Sequence, residues 1–296
     1  MKFSIIMLNL FLSVHVFAQS LGSSERPIII ALVPGQDVQK LMNNGRVLED
    51  HLRNKLKLEF KVLVPQSFVA VVESLGTERV DMAVMNSFGY VLAHEKYGAQ
   101  AFLMGAFKGR NEYWGQIIAR NDGPKTMQEL NGKTFAFVDP ASTSGYLLAE
   151  KALRDEKIKL KEYIFAGKHD SVVSMVYQGR VAAGATYHTL PDNGVPQDAR
   201  KLVATQYPDV WEKVKILKIT GPIPNDPVVF RKDFPVDIRQ KITSEMKAFV
   251  KLAQGKDTMM NLYHIDDLID AKNSDWDPLR KILKDINKSA HDFIKK

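Results

Sequence analysis

The chain contains no cysteine. That excludes structural disulfides and thiolate metal sites, and it leaves no thiol for lipid attachment behind an export signal. Long apolar runs are missing after the first twenty residues, so no later segment reaches the roughly 20 apolar residues a membrane span needs. There is no internal repeat at a fixed short period and no low-complexity stretch. The G-x-S-x-G turn of a nucleophilic serine is absent. His94, His169, His188 and His264 show no paired metal-ligand spacing. No metal, cofactor or catalytic role is therefore expected. Basic residues are dispersed through amphipathic segments rather than gathered in one stripe with aromatics, which argues against a nucleic-acid partner.

What is present begins at the N-terminus. Lys2, an apolar stretch and the small-residue site Val16-Phe17-Ala18 are the parts of a secretory signal peptide, with cleavage expected after Ala18. Asn9, Ser13 and His15 interrupt the apolar run, which disfavours a permanent anchor. The expected destination is a bacterial periplasm, with the chain free in it as a monomer. About 278 residues follow the signal, room for two lobes of roughly 100–200 residues each. Lys and Arg number 41 against 34 Asp and Glu, a formal charge of +7 that drops to +6 without Lys2. This mild excess suits attraction of a small anion.

Apolar runs alternate with helical-period segments, the pattern of α/β layering, and a mostly parallel sheet is expected. Strands are predicted over 27–33, 59–64 and 80–85, with a helix over 37–57 carried by Val38, Leu41, Met42, Leu48 and Leu52. Phe68 opens a short helix to residue 75, and Ser87 reads as the cap of a helix ending at Tyr97. A second α/β unit has strands over 115–119, 134–138, 163–166 and 182–187, and helices over 143–154 and 171–178. Gly221-Pro222-Ile223-Pro224 breaks the chain before a strand over 228–230. The tail from Asp237 reads as amphipathic helices without a site. Two crossings, near 113–116 and 217–221, divide the chain into a signal over 1–18, one lobe of 27–113 plus 221–296, and a second of 114–220. A cleft between lobes, beyond the carboxyl ends of strands, is the expected site.

Residues 139–154, DPASTSGYLLAEKALR, carry the most chemistry. A strand stops at Asp139-Pro140, three hydroxyl residues follow, and Gly145 admits close backbone approach before a helix begins. Unpaired N–H groups at a helix start, together with hydroxyl donors, can hold an anion without a full positive charge. Ser142 or Thr143 acting only as an N-cap is the competing reading.

Five segments resemble the phosphate/phosphite/phosphonate-binding proteins of ABC transporters: VDMAVMNSFGYVLAHEK (80–96), EYWGQIIARNDG (112–123), DPASTSGYLLAEKAL (139–153), FAGKHDSVVSMVYQGRVAAGATY (165–187) and GPIPNDPVVFRKDF (221–234). They lie in the family's order and span most of residues 27–255. The resemblance implies a type II periplasmic-binding-protein fold, two α/β lobes joined by two hinge crossings, and capture of a phosphorus oxyanion for a membrane permease. A sensing role toward a kinase or chemoreceptor is the alternative, and a Ser144-His169-Asp226 hydrolase the remote one.

The same resemblance implies that Ser142, Thr143 and Ser144 cradle the oxyanion and that His169 donates to it. A surface-loop histidine is the alternative for His169, and Asp170 reads as the cap of the next helix. Tyr113 matches an aromatic lining the cleft. Phe68 stands where members that bind an aminoalkylphosphonate carry tyrosine, so it supplies packing and a backbone N–H but no phenol. Asp226 matches a carboxylate that faces a ligand ammonium, or it is a turn residue between prolines. Its glutamate partner is replaced around Thr189-Leu190, and Ala182 stands where Asp is frequent. These departures bring phosphate, phosphite and simple alkylphosphonates level with aminoethylphosphonate.

Overall fold

A computed structural model describes residues 20–293. The expected signal over 1–18 lies outside the described residues. Among the described residues eleven strands form two mixed sheets. The first has the order β11-β4-β10-β3-β1-β2, from β1 (Ile28–Leu32), β2 (Phe60–Leu63), β3 (Met82–Val84), β4 (Gln100–Ala106), β10 (Pro227–Phe230) and β11 (Asp267–Asp270). The second runs β7-β6-β8-β5-β9, from β5 (Glu112–Arg120), β6 (Thr134–Phe137), β7 (Glu162–Phe165), β8 (Ala183–His188) and β9 (Val214–Pro224). Helices α1 (Val38–Leu56), α2 (Phe68–Gly76), α3 (Ser87–Tyr97), α4 (Leu148–Asp155), α5 (His169–Tyr177), α6 (Val210–Lys213), α7 (Val236–Phe249), α8 (Ala253–Tyr263) and α9 (Asp277–Asp285) pack around them.

The expectation of a mostly parallel sheet is corrected. Strand β1 pairs parallel with β2 and β3, and β6 with β7 and β8. The other five pairings, all involving β5 or β4 and β10, are antiparallel. The antiparallel pairings gather around the strands that carry the chain between sheets: β4 passes directly to β5 and β9 directly to β10, with no helix between, so β5 and β10 enter their sheets against the direction of the strands they join. Gly221-Pro222 does not end a strand either: β9 continues to Pro224, opposite Glu112. Between the pairs Tyr113–Ile223 and Gly115–Thr220, β9 has one more residue than β5, a bulge that absorbs the glycine and proline.

Helix α1 shows how the sequence builds the first layer. Asp37 Oδ1 accepts from Lys40 N at 2.8 Å and caps the helix, and Lys57 closes it with φ 55°. Leu41, Gly45, Leu48 and Leu52 form its buried face, the i, i+4, i+7, i+11 stripe of an amphipathic helix. A Cβ on Gly45 would lie 2.7 Å from Val62 Cγ1 and 2.8 Å from Leu32 Cδ1, so the helix rests directly on the sheet. Leu48 and Leu52 are fully buried, worth about 1.5–3 kcal/mol each.

Three local expectations change. Ser87 is the first residue of α3, not its cap; Asn86 holds the cap position, and Ser87 Oγ donates instead to Pro224 O at 2.5 Å and Asn225 O at 3.1 Å. Asp170 is the second residue of α5, whose cap position is Lys168, and its carboxylate accepts from Ser171 N. The tail is not helical throughout, because β11 adds an edge strand to the first sheet beside β4. Among the described residues no helix is long and apolar enough to cross a membrane.

Candidate functional site

A cavity of about 470 Å³ opens between the two sheets and their helices, and all seven sequence-predicted residues line it: Phe68, Tyr113, Ser142, Thr143, Ser144, His169 and Asp226. The second sheet supplies the hydroxyl segment, directly after β6. Its helix does not begin as an α-helix. Residues Thr143–Leu147 form a π-helical turn, with Leu147 N donating to Ser142 O at 3.0 Å, and α4 starts only at Leu148. Such turns widen the backbone locally and concentrate at functional sites. Gly145 is required here, since a Cβ would sit 2.4 Å from Val138 Cγ2.

The three hydroxyls differ in what they are free to do. Ser142 Oγ accepts from Gly145 N at 3.1 Å, so the capping geometry is real and its proton is left for another acceptor. Thr143 Oγ1 accepts from Phe88 N at 2.8 Å and Asn86 Nδ2 at 3.1 Å, both from the start of α3 in the first lobe. With both lone pairs occupied, its hydroxyl acts on the cavity only as a donor. Ser144 and Thr143 both interact with the Tyr113 phenol. Burial and the Asp226 carboxyl push the Tyr113 pKa well above its usual value, while the two hydroxyls pull it down, so the phenol keeps its proton.

Asp226 follows the crossing strand β9 and sits against the α3 N-terminus. Burial raises its pKa to about 7, against the opposing pull of the Tyr113 phenol and the Ser87 backbone N–H. Its Oδ1 is buried without a hydrogen-bond partner among the described residues. His169 opens α5. Its backbone N donates to Gly35 O at 3.2 Å, and its Nδ1 lies 2.7 Å from Thr186 Oγ1. Burial alone lowers the imidazole pKa to about 3, so the ring is neutral in ordinary conditions. Phe68 is almost fully buried at the start of α2, its ring edge-on to His169 at 6.5 Å. Its backbone N donates across the cavity to Asp139 Oδ2 at 3.2 Å.

The nucleophile, base and orienter arrangement is not assembled. His169 Nδ1 meets Thr186 and the Asp226 carboxyl meets Tyr113, so no carboxylate orients the imidazole toward Ser144. Among the described residues no group of His, Asp or Glu is placed to hold a metal ion. Thr189 and Leu190 line the cavity where the resemblance implies a glutamate in aminoalkylphosphonate binders, and Thr189 Oγ1 is buried without a partner among the described residues.

Sequence reasoning missed several lining residues. Tyr263, last residue of α8, donates through its phenol to Val84 O at 3.0 Å, and burial, with the nearby Asp226 carboxyl, raises its pKa. Nothing in a tail helix signals that role. Tyr187 packs edge-on to His169 at 4.9 Å; it stands near the carboxyl end of β8, where sheets present ligands, so the signal existed. Arg110, Lys40 and Lys201 add positive charge around the cavity.

Two α/β lobes around this cavity, joined by crossing strands, define a periplasmic-binding-protein fold. Residues 30–276 match the family described as ABC transporter, phosphonate, periplasmic substrate-binding protein, and the chain belongs to that family. It is 27% identical over 201 residues to the phosphate-import protein PhnD of Mycolicibacterium smegmatis, a match covering 62% of each chain, so it spans less than two thirds of that relative's length. It is 21% identical to the phosphonates-binding periplasmic protein of Escherichia coli, over 80% of this chain and 70% of that one. The structure of PhnD1 from Prochlorococcus marinus in complex with methylphosphonate superposes with a TM-score of 0.74 at 17% identity, covering 88% of this chain and 98% of that one.

Proposed function

We propose that the chain is an exported receptor that captures a phosphorus oxyanion between its lobes and delivers it to the permease of an ABC transporter. The observation that carries this reading is the hydroxyl pair on one cavity wall, Thr143, whose lone pairs are both used, and Ser144, beside a Tyr113 phenol that keeps its proton and is engaged by the Asp226 carboxyl. Such neutral donors satisfy an oxyanion without requiring a buried cation. Beside that phenol, Asp226 Oδ1, without a partner among the described residues, favours a ligand that brings a donor of its own, a phosphoryl O–H or an ammonium group.

The lobes of this reading are 27–113 with 221–296, and 114–220. The pairing of Glu112 with Pro224 and of Tyr113 with Ile223 supports a two-stranded hinge. Closure is favoured because the anion gains first-lobe contacts only when the cleft shuts. The signal over 1–18 is removed on export, and the mature chain acts as a monomer in the periplasm, passing its cargo to the permease.

Calorimetric titration of the mature chain with phosphite, phosphate, methylphosphonate and aminoethylphosphonate tests the reading. One-to-one binding of at least one of them is expected. Absence of heat with all four, together with no thermal stabilisation, would remove the oxyanion assignment.

A further inference from the structure

The proposed oxyanion contact from His169 depends on which ring nitrogen carries the proton, and the structure contains a group that decides it. A neutral imidazole has one N–H and one lone pair. A lone pair turned toward an oxyanion repels it, whereas an N–H binds it. His169 Nδ1 is turned away from the cavity and lies 2.7 Å from Thr186 Oγ1 on β8. Thr186 is fully buried, and among the described residues its hydroxyl has no other hydrogen-bond partner.

A buried hydroxyl proton without an acceptor carries its whole desolvation cost. The Thr186 proton therefore goes to Nδ1, which makes Nδ1 the acceptor and leaves the single imidazole hydrogen on Nε2. The ring cannot rotate out of this arrangement cheaply. Tyr187 packs edge-on at 4.9 Å and Phe68 at 6.5 Å, and His169 Cδ2 lies against Gly35. Nε2 has no hydrogen-bond partner among the described residues, and His169 lines the cavity.

We propose that Thr186 is a positioning residue: it holds His169 as the Nε2–H tautomer and so makes the ring a donor to the bound oxyanion. Thr186 touches no ligand itself. The proposal rests on the oxyanion reading of the cavity for its function, while the tautomer is an independent property of the empty protein. It also explains how a histidine serves an anion without being charged.

The first measurement is the ¹⁵N spectrum of the His169 ring in the ligand-free wild type. An Nε2–H tautomer with Nδ1 hydrogen-bonded is expected, and an Nδ1–H tautomer overturns the proposal without any variant having to fold. The second is the affinity for phosphate and methylphosphonate of Thr186→Val and Thr186→Ser. Thr186→Val, which keeps the shape, should bind about tenfold more weakly and show mixed tautomers, and Thr186→Ser should stay within about twofold of wild type. An unchanged affinity and an unchanged tautomer in Thr186→Val overturn the assignment. Wild type that binds neither probe while showing the Nε2–H tautomer would instead count against the oxyanion reading.

Discussion

Replacing Asp226 with asparagine should stabilise the empty protein, and only at neutral and alkaline pH. Burial lifts this carboxyl from the ordinary 3.8 to about 7. A folded-state pKa above the unfolded one means that the native chain holds the proton more tightly. The corresponding stability is fully present below about pH 4 and is lost as pH rises toward 7. At 1.36 kcal/mol per unit, the whole shift corresponds to an upper bound of about 4 kcal/mol, and an effect of about 2–4 kcal/mol is expected. Asp226→Asn keeps an acceptor for the Tyr113 phenol and places its amide where Oδ1 has no partner. Urea unfolding of ligand-free wild type and variant at about pH 4, 6 and 8 reads the difference directly. The variant should match wild type at the acid end and exceed it by about 2–4 kcal/mol at the alkaline end. Parallel stability curves across that range would refute the claim that Asp226 is an uncompensated buried carboxyl.

Affinity for a fully ionised oxyanion that brings no donor to Asp226 should weaken as pH rises through about 7, when Asp226 ionises in the cavity, and Asp226→Asn should remove the protein's share of that profile in a calorimetric titration, leaving the ligand's own ionisation. No further inflection from His169 is expected between pH 5 and 8, because burial holds its pKa near 3. Thr143→Val strips the acceptor from Phe88 N and Asn86 Nδ2. Phe88 N is then left unpaired while Asn86 Nδ2 keeps only Ala141 O, which should cost about 1–3 kcal/mol of stability, read as a lower urea midpoint, and the lost hydroxyl should weaken ligand binding about tenfold. Gly45→Ala forces a methyl group into Val62 and Leu32; about 1–3 kcal/mol of destabilisation with unchanged ligand affinity is expected.

Periodicity and punctuation made much of the frame legible. Asp37, the Leu41-Leu48-Leu52 stripe and Lys57 mark both ends and the buried face of α1 because each acts on neighbours within a few residues. Ser87 misleads for the opposite reason. A hydroxyl beside a helix start looks like a cap, but its partners, Pro224 O and Asn225 O, are 137 and 138 residues away. The antiparallel strands escape a pattern reading because strand direction is set by how the chain crosses between sheets, which the residues of β5 and β9 do not mark. Strand β11 is four residues long with an aspartate at each end, too short for its alternation to register. At the site, the order strand, hydroxyls, glycine, helix pointed to the cradle. The π-helical turn, the use of Thr143 by the opposite lobe, and the arrival of Tyr263 from the tail depend on contacts across the cleft, which local spacing does not encode.

The central claim is that the oxyanion sits on the Thr143–Ser144 wall of the cavity, and a crystal structure of the chain with methylphosphonate tests it most directly. The account predicts the phosphonate oxygens within hydrogen-bond reach of the Thr143 and Ser144 hydroxyls, the Tyr113 phenol and His169 Nε2. A phosphonate held instead only by Lys40, Arg110 or Lys201, with the Thr143–Ser144 wall left to water, would contradict it.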